Sequence, residues 1–120
     1  MRHTMAKPTD SAVLDRLFAV IEARRGGDPE ESYTASLFAS GNETIAQKLG
    51  EEAIETVIAA TTGVSERLIC ESADLLYHLL VAWANAGVKP DEVWAELIRR
   101  EGISGHAEKR GRRSDSGDRR

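Results

Sequence analysis

The chain is predicted to be all-α, a small bundle of four to five helices. Apolar residues recur at three- and four-residue spacing over most of its length, as on helices with one buried face. Residues that start and stop helices bound each of those stretches. No segment carries the sustained alternation of a half-buried strand, and no internal repeat is present. A length of 120 residues suits one domain with a single modest core.

Residues 1–9 read as a loose leader, in which Met5 offers a natural start behind a short extension. Asp10 or Ser11 suits the N-cap of a first helix, because Val13, Leu14, Leu17, Phe18 and Ile21 then share one face. Gly26-Gly27-Asp28-Pro29 ends it. The stretch from Ser32 to Gly41 is short and rich in small residues, and is expected to be a loop. Its hydroxyls, on Ser32, Tyr33, Thr34 and Ser36, can bond phosphate or ribose. Lying directly before an acidic helix, it is a candidate substrate loop; the plainer alternative is a linker.

A second helix is expected from Asn42 to about Thr61 or Thr62, stopping near Gly63. The third begins near Ser65, read as its N-cap, and runs to Asn85, where Gly87 closes it. Lys89-Pro90-Asp91 opens the last, which passes through Val93, Trp94, Leu97 and Ile98 to Arg100. From Gly102 onward the chain is polar and charged, too poor in apolar surface to offset its ordering entropy, so disorder is expected beyond about His106. The expected organisation is a leader at 1–9, a helical domain at 10–105 and a basic tail at 106–120.

Composition narrows the functional classes. No apolar run approaches the roughly 20 residues that span a bilayer. The first residues hold no apolar signal region, which gives secretion no support. The single cysteine, Cys70, cannot form an internal disulfide and is expected as a buried or half-buried thiol, in keeping with a reducing cytoplasm. The net charge of −4 is uneven: residues 106–120 hold six basic and three acidic side chains, net +3, leaving −7 over residues 1–105. Neutralising nucleic-acid phosphates takes Lys and Arg, so the acidic body argues against a nucleic-acid surface. It is compatible with phosphates held through a metal.

The chemistry concentrates in Lys48-Leu-Gly-Glu51-Glu52-Ala-Ile-Glu55 and, sixteen residues after Glu55, in Glu71-Ser-Ala-Asp74. On helices, Glu52 and Glu55 lie one turn apart on one face, and Glu71 and Asp74 repeat that spacing on the next helix. A lone Glu-x-x-Glu is common on solvated faces. Here apolar residues crowd both helices, and Ile45, Leu49, Ala53, Val57 and Ala60 form an expected core stripe beside Glu52. Leu68, Leu75, Leu76, Leu79, Leu80 and Trp83 do the same around Asp74. Facing carboxylates repel, and burying them uncompensated is costly. Hard oxygen ligands beside an apolar face suit Mg²⁺, or Mn²⁺, completed by substrate phosphates. Lys48 can contact a phosphate as a point charge, or pair with Glu52 at i,i+4 for only about 0.2–0.5 kcal/mol.

Several motifs resemble the phosphoribosyl-ATP pyrophosphohydrolase family, within the all-α, MazG-like superfamily of nucleotide pyrophosphohydrolases. They are Ser32-Tyr-Thr-x-x-Leu-Phe, Gly41, Ile45-Ala-Gln-Lys-Leu-Gly-Glu-Glu-Ala-x-Glu55, Glu71-Ser-Ala-Asp-Leu-Leu-Tyr-His78 and Arg100-Glu-Gly-x-Ser-Gly105 followed by Glu108-Lys109. The resemblance spans roughly residues 13–110. The acidic pairs mark only the superfamily, whereas the Ser-Tyr-Thr segment and the Asp-Leu-Leu-Tyr-His run point to the histidine-pathway branch.

The resemblance implies hydrolysis of the α–β phosphate bond of phosphoribosyl-ATP to phosphoribosyl-AMP and pyrophosphate, the second step of histidine biosynthesis, by a cytoplasmic enzyme. It further implies Glu52, Glu55, Glu71 and Asp74 as Mg²⁺ ligands, with Glu51 a further ligand or the base that deprotonates water. Lys48, Tyr33 and Thr34 are the substrate-binding candidates. His78 is kept outside the metal set, and Tyr77, Trp83 and Trp94 are assigned to the core or to a subunit interface. A homodimer or higher homo-oligomer is implied, with no nucleic-acid or membrane partner. The rivals are a house-cleaning nucleoside triphosphate pyrophosphohydrolase with the same metal site, and a non-enzymatic helical module whose acidic face docks a basic partner.

Overall fold

A computed structural model of the chain describes residues 9–103 and 111, so the expectations for most of the leader and of the tail lie outside the described residues. The described residues form α1 (Ala12–Ala23), α2 (Tyr33–Ser40), α3 (Asn42–Thr62), α4 (Ser65–Ala86) and α5 (Pro90–Arg100), with no strand among them. The all-α expectation is met. The chain divides at Pro90 and Asp91 into two compact units, the first holding α1 to α4 and the second nearly all of α5.

In the first unit, α1 starts as expected: the Asp10 carboxylate accepts from the Ala12 N–H at 2.9 Å, while Ser11 occupies the cap position without a side-chain bond. The expected loop at 32–41 is instead helix α2. Ser32 is extended, and its hydroxyl accepts from the Ala35 N–H at 3.1 Å, a regular N-cap that starts a two-turn helix on small residues. Gly41 alone separates α2 from α3; its φ of 93° is a conformation that side-chain-bearing residues rarely adopt.

Helix α3 stops at Gly63, whose left-handed φ of 75° turns the chain back within two residues into α4. The N-cap of α4 is Val64, not Ser65, which is already the first helical residue. Such a short connection makes α3 and α4 an antiparallel hairpin. Side-chain bonds join its two helices: Thr56 meets Glu71 near the turn and, fourteen residues away on each helix, Asn85 donates to Asn42.

The core lies at the open end of this hairpin, where Phe18 and Ile21 of α1 and Leu37 of α2 meet Ile45, Leu80, Val81 and Ala84. Arg25 ties the same region together, donating to the Ala84 carbonyl and lying 4.6 Å from the Phe38 ring centre. Leu14, Leu17, Tyr77 and Trp83 pack against this cluster, as assigned for the two aromatics.

Two expectations about burial fail at the turn end. Val57 is 62% exposed, Ala60, Leu68 and Leu76 are exposed as well, and Cys70 is an exposed thiol. The physical reason is coverage: the core that α1 and α2 build reaches only the start of α3 and the later half of α4. Helical periodicity marks these residues as apolar without saying which have a neighbour.

Helix α5 begins with Pro90 in its first turn, where the missing N–H costs nothing, and carries Asp91 and Glu92 there and Arg99 and Arg100 in its last turn. Glu96 accepts from Arg99 at 2.7 Å and from Arg100 at 2.9 Å, which holds its carboxyl down at about 2.

Candidate active site

The hairpin register brings carboxylates from two helices together. Carboxylate oxygens of Glu52 on α3 and of Glu71 and Asp74 on α4 lie within 4.8 Å of one another. Glu52 and Glu71 are half-buried and Asp74 is exposed, so the group opens to solvent on one side. Burial pushes the Glu52 carboxyl above its ordinary value; the neighbouring Asp74 charge adds to the rise, and Glu71 and Glu55 contribute less, against an opposing pull from His78. Arg67, on the preceding turn, lies 3.9 Å from Glu71.

Three hard oxygen donors with little compensating charge match what a small divalent cation requires. Glu55 and Glu51 stand outside that triad. Glu55 is exposed one turn along α3 and makes itself felt at Glu52 only through its charge. Glu51 accepts from the Gln47 side chain at 3.0 Å and faces the Lys48 ammonium at 3.6 Å, and these contacts hold its carboxyl below the usual glutamate value. Lys48 therefore pairs with Glu51 and not with Glu52, with its side chain half-exposed.

The hydroxyls of α2 are drawn into a network with α4. His78 is buried, and its Nδ1 lies 2.9 Å from the Asp74 carbonyl. A carbonyl only accepts, so Nδ1 carries a proton, and Nε2 lies within hydrogen-bonding distance of the Tyr33 hydroxyl, at 3.2 Å. The Thr34 hydroxyl bonds the Tyr77 phenol, and the Tyr77 ring lies edge-on to His78 at 4.9 Å. The Ser-Tyr-Thr and Tyr-His motifs are thus two halves of one contact, joining the start of α2 to the helix that carries Glu71 and Asp74. His78 belongs to this network.

One residue escaped the sequence reading. Thr56, half-buried on α3, donates to the Glu52 carbonyl at 2.8 Å and to the Glu71 carbonyl at 3.2 Å. A threonine one position after Glu55 gives no signal by spacing, because its role depends on the register of the neighbouring helix.

Among the described residues, no helix is long and apolar enough to cross a membrane. The family described as phosphoribosyl-ATP pyrophosphohydrolase matches residues 14–101. A phosphoribosyl-ATP pyrophosphatase of Azospirillum brasilense is 60% identical over 104 residues, covering 87% of this chain and 94% of the relative. Relatives of the same name from Paramagnetospirillum magneticum and Parvibaculum lavamentivorans are 58% and 57% identical, each over 86% of this chain and 94% of their own. The match spans the α1 to α4 hairpin architecture, both acidic segments and the Tyr33–His78 network, and on that ground the chain belongs to the phosphoribosyl-ATP pyrophosphohydrolase family.

Proposed function

We propose that this chain hydrolyses the α–β phosphate bond of phosphoribosyl-ATP, giving phosphoribosyl-AMP and pyrophosphate in the second step of histidine biosynthesis. The observation that carries the reading is the meeting of Glu52, Glu71 and Asp74 within 4.8 Å, in a chain 60% identical to a phosphoribosyl-ATP pyrophosphatase. Glu52, Glu71 and Asp74, with Glu55 one turn further on α3, hold Mg²⁺, for which Mn²⁺ can substitute. The bound cation supplies positive charge against the attacked phosphorus and the leaving pyrophosphate.

The chain's own groups do the rest. Glu51, kept ionised by Gln47 and Lys48, takes the proton of the attacking water. Lys48 meets a substrate phosphate, exchanging its contact with Glu51 for one with the ligand. Tyr33 and Thr34, fixed by His78 and Tyr77, place the start of α2 against the substrate.

The functional unit is a homo-oligomer, at least a dimer, working in the cytoplasm. What supports this is the set of apolar residues exposed at the turn end of the hairpin, with Ile54 and Val57 both 62% and Ile69 68% exposed. A lone chain would leave this surface in water, and a second copy covers it. Glu71→Gln removes one oxygen charge from the site without changing its shape; pyrophosphate release at the wild-type rate by this variant would refute the assignment.

A further inference from the structure

The acidic residues sit on two helices, so their spacing depends on the register of α3 against α4. Mg²⁺ demands near-ideal octahedral distances of about 2.0–2.1 Å, which leaves little tolerance for a slip between the helices that carry its ligands. Thr56 stands at that junction. Its Oγ1 lies 2.8 Å from the carbonyl of Glu52 and 3.2 Å from the carbonyl of Glu71, the two half-buried members of the triad.

A hydroxyl has one hydrogen, so this is a single shared donation to both backbones. Mid-helix threonines commonly satisfy themselves on the carbonyl four residues back within their own helix. Here the same hydrogen also reaches across to α4, at the residue that supplies a carboxylate. The Asn42–Asn85 bond, fourteen residues away on each helix, is too distant to fix the spacing at the acidic end.

We propose that Thr56 is a positioning residue for the metal site, its hydroxyl clamping the backbones of Glu52 and Glu71 at the separation that a divalent cation needs. The inference rests on the metal-site reading of Glu52, Glu71 and Asp74. Thr56 touches neither cation nor substrate; it acts through the two glutamates. Thr56→Val keeps the branched shape and removes the hydroxyl. Both carbonyls keep their helical N–H partners, so the helices persist while the cross-helix tie is lost.

The test is a Mn²⁺ titration of the purified protein, reading free Mn²⁺ by electron paramagnetic resonance, for wild type, Thr56→Val, Thr56→Ala and Thr56→Ser. Loss of contacts that orient ligands commonly weakens metal affinity 10- to 100-fold. We expect about tenfold weaker binding for Val and Ala, and wild-type affinity for Ser. In turnover assays the Val variant needs more Mg²⁺ for half-maximal rate and regains kcat when Mg²⁺ saturates, a split that general destabilisation does not produce. Wild-type Mn²⁺ affinity in Thr56→Val overturns the clamp and leaves the metal site standing. Should Val fold poorly by circular dichroism, Ala against Ser decides, and equal affinities overturn the clamp. Absence of Mn²⁺ binding by the wild type overturns the clamp and the metal site together.

Discussion

Neutralising Glu52 should stabilise the metal-free protein while removing its response to Mg²⁺. In Glu52→Gln the side chain keeps its shape and loses its charge, which relieves repulsion from Glu71 and Asp74, both within 4.8 Å. At that distance two unit charges repel by about 1 kcal/mol at the dielectric of water and about 3–4 kcal/mol at an effective value of 20. Asp74 is exposed, which places the site toward the lower figure, so the two contacts together give about 1–2 kcal/mol. For a domain of this size each kcal/mol raises Tm by about 4–8 °C. Thermal unfolding in EDTA near neutral pH should therefore show the variant melting above the wild type.

Saturating Mg²⁺ should reverse the order, because a ligand at a hundred times its Kd adds about 2.7 kcal/mol to the wild type and nothing to a variant that does not bind it. The pH dependence follows from the raised Glu52 carboxyl. The folded protein holds that proton more tightly than the unfolded chain, so wild-type stability rises as pH falls toward the ordinary glutamate range and is lost again as pH climbs through the raised value. The advantage of Glu52→Gln in EDTA should accordingly narrow on acidification. A variant that melts below the wild type in EDTA, or that gains as much from Mg²⁺, would show that Glu52 neither repels Glu71 and Asp74 nor holds the cation.

Other predictions follow from the same geometry. Glu51→Gln should lower kcat by about 10²–10⁴, the range for losing a general base, while preserving the Mg²⁺-induced rise in Tm, which separates proton transfer from metal binding. Tyr33→Phe removes the hydroxyl bonded to His78 and should cost about 0.5–1.5 kcal/mol in urea unfolding at unchanged m-value. Leu80→Ala, at a site 1% exposed in the core, should cost about 2–5 kcal/mol and lower the urea midpoint sharply. Gly63→Ala meets no atom within 4 Å but places a side chain at φ of 75°, so the loss of about 1–2 kcal/mol expected by chemical denaturation is backbone strain alone.

What the sequence disclosed depended on how local the cause was. Helix ends at Gly63, Gly87 and Pro90 are legible because glycine enters the left-handed conformation that closes a helix without a side-chain penalty, and proline fixes φ at a value suited to a helix's first turn. The acidic segments were legible because carboxylates one turn apart must share a face. Helix α2 stands where a loop is expected: Tyr33, Thr34 and Ser36 are weak helix formers, and the helix forms because Ser32 caps it and because Ala35 and Leu37 are buried. Val57 on α3 and Leu68 on α4 are exposed although each lies on an expected apolar stripe, because periodicity records that a face is apolar while burial also needs a neighbour, and the core built with α1 and α2 reaches only the start of α3 and the later half of α4. The pairing of Tyr33 with His78 and of Thr56 with Glu71 was hidden for the same reason, since each joins residues on different helices.

Whether the carboxylates that α3 and α4 bring together cleave phosphoribosyl-ATP is decided by measuring pyrophosphate release from that substrate by the purified protein, with Mg²⁺ and with EDTA, alongside ATP and dUTP as competing substrates. Mg²⁺-dependent release from phosphoribosyl-ATP, with the other two nucleotides left intact, is the predicted result. Cleavage of ATP or dUTP in preference to phosphoribosyl-ATP, or release undiminished by EDTA, would contradict it.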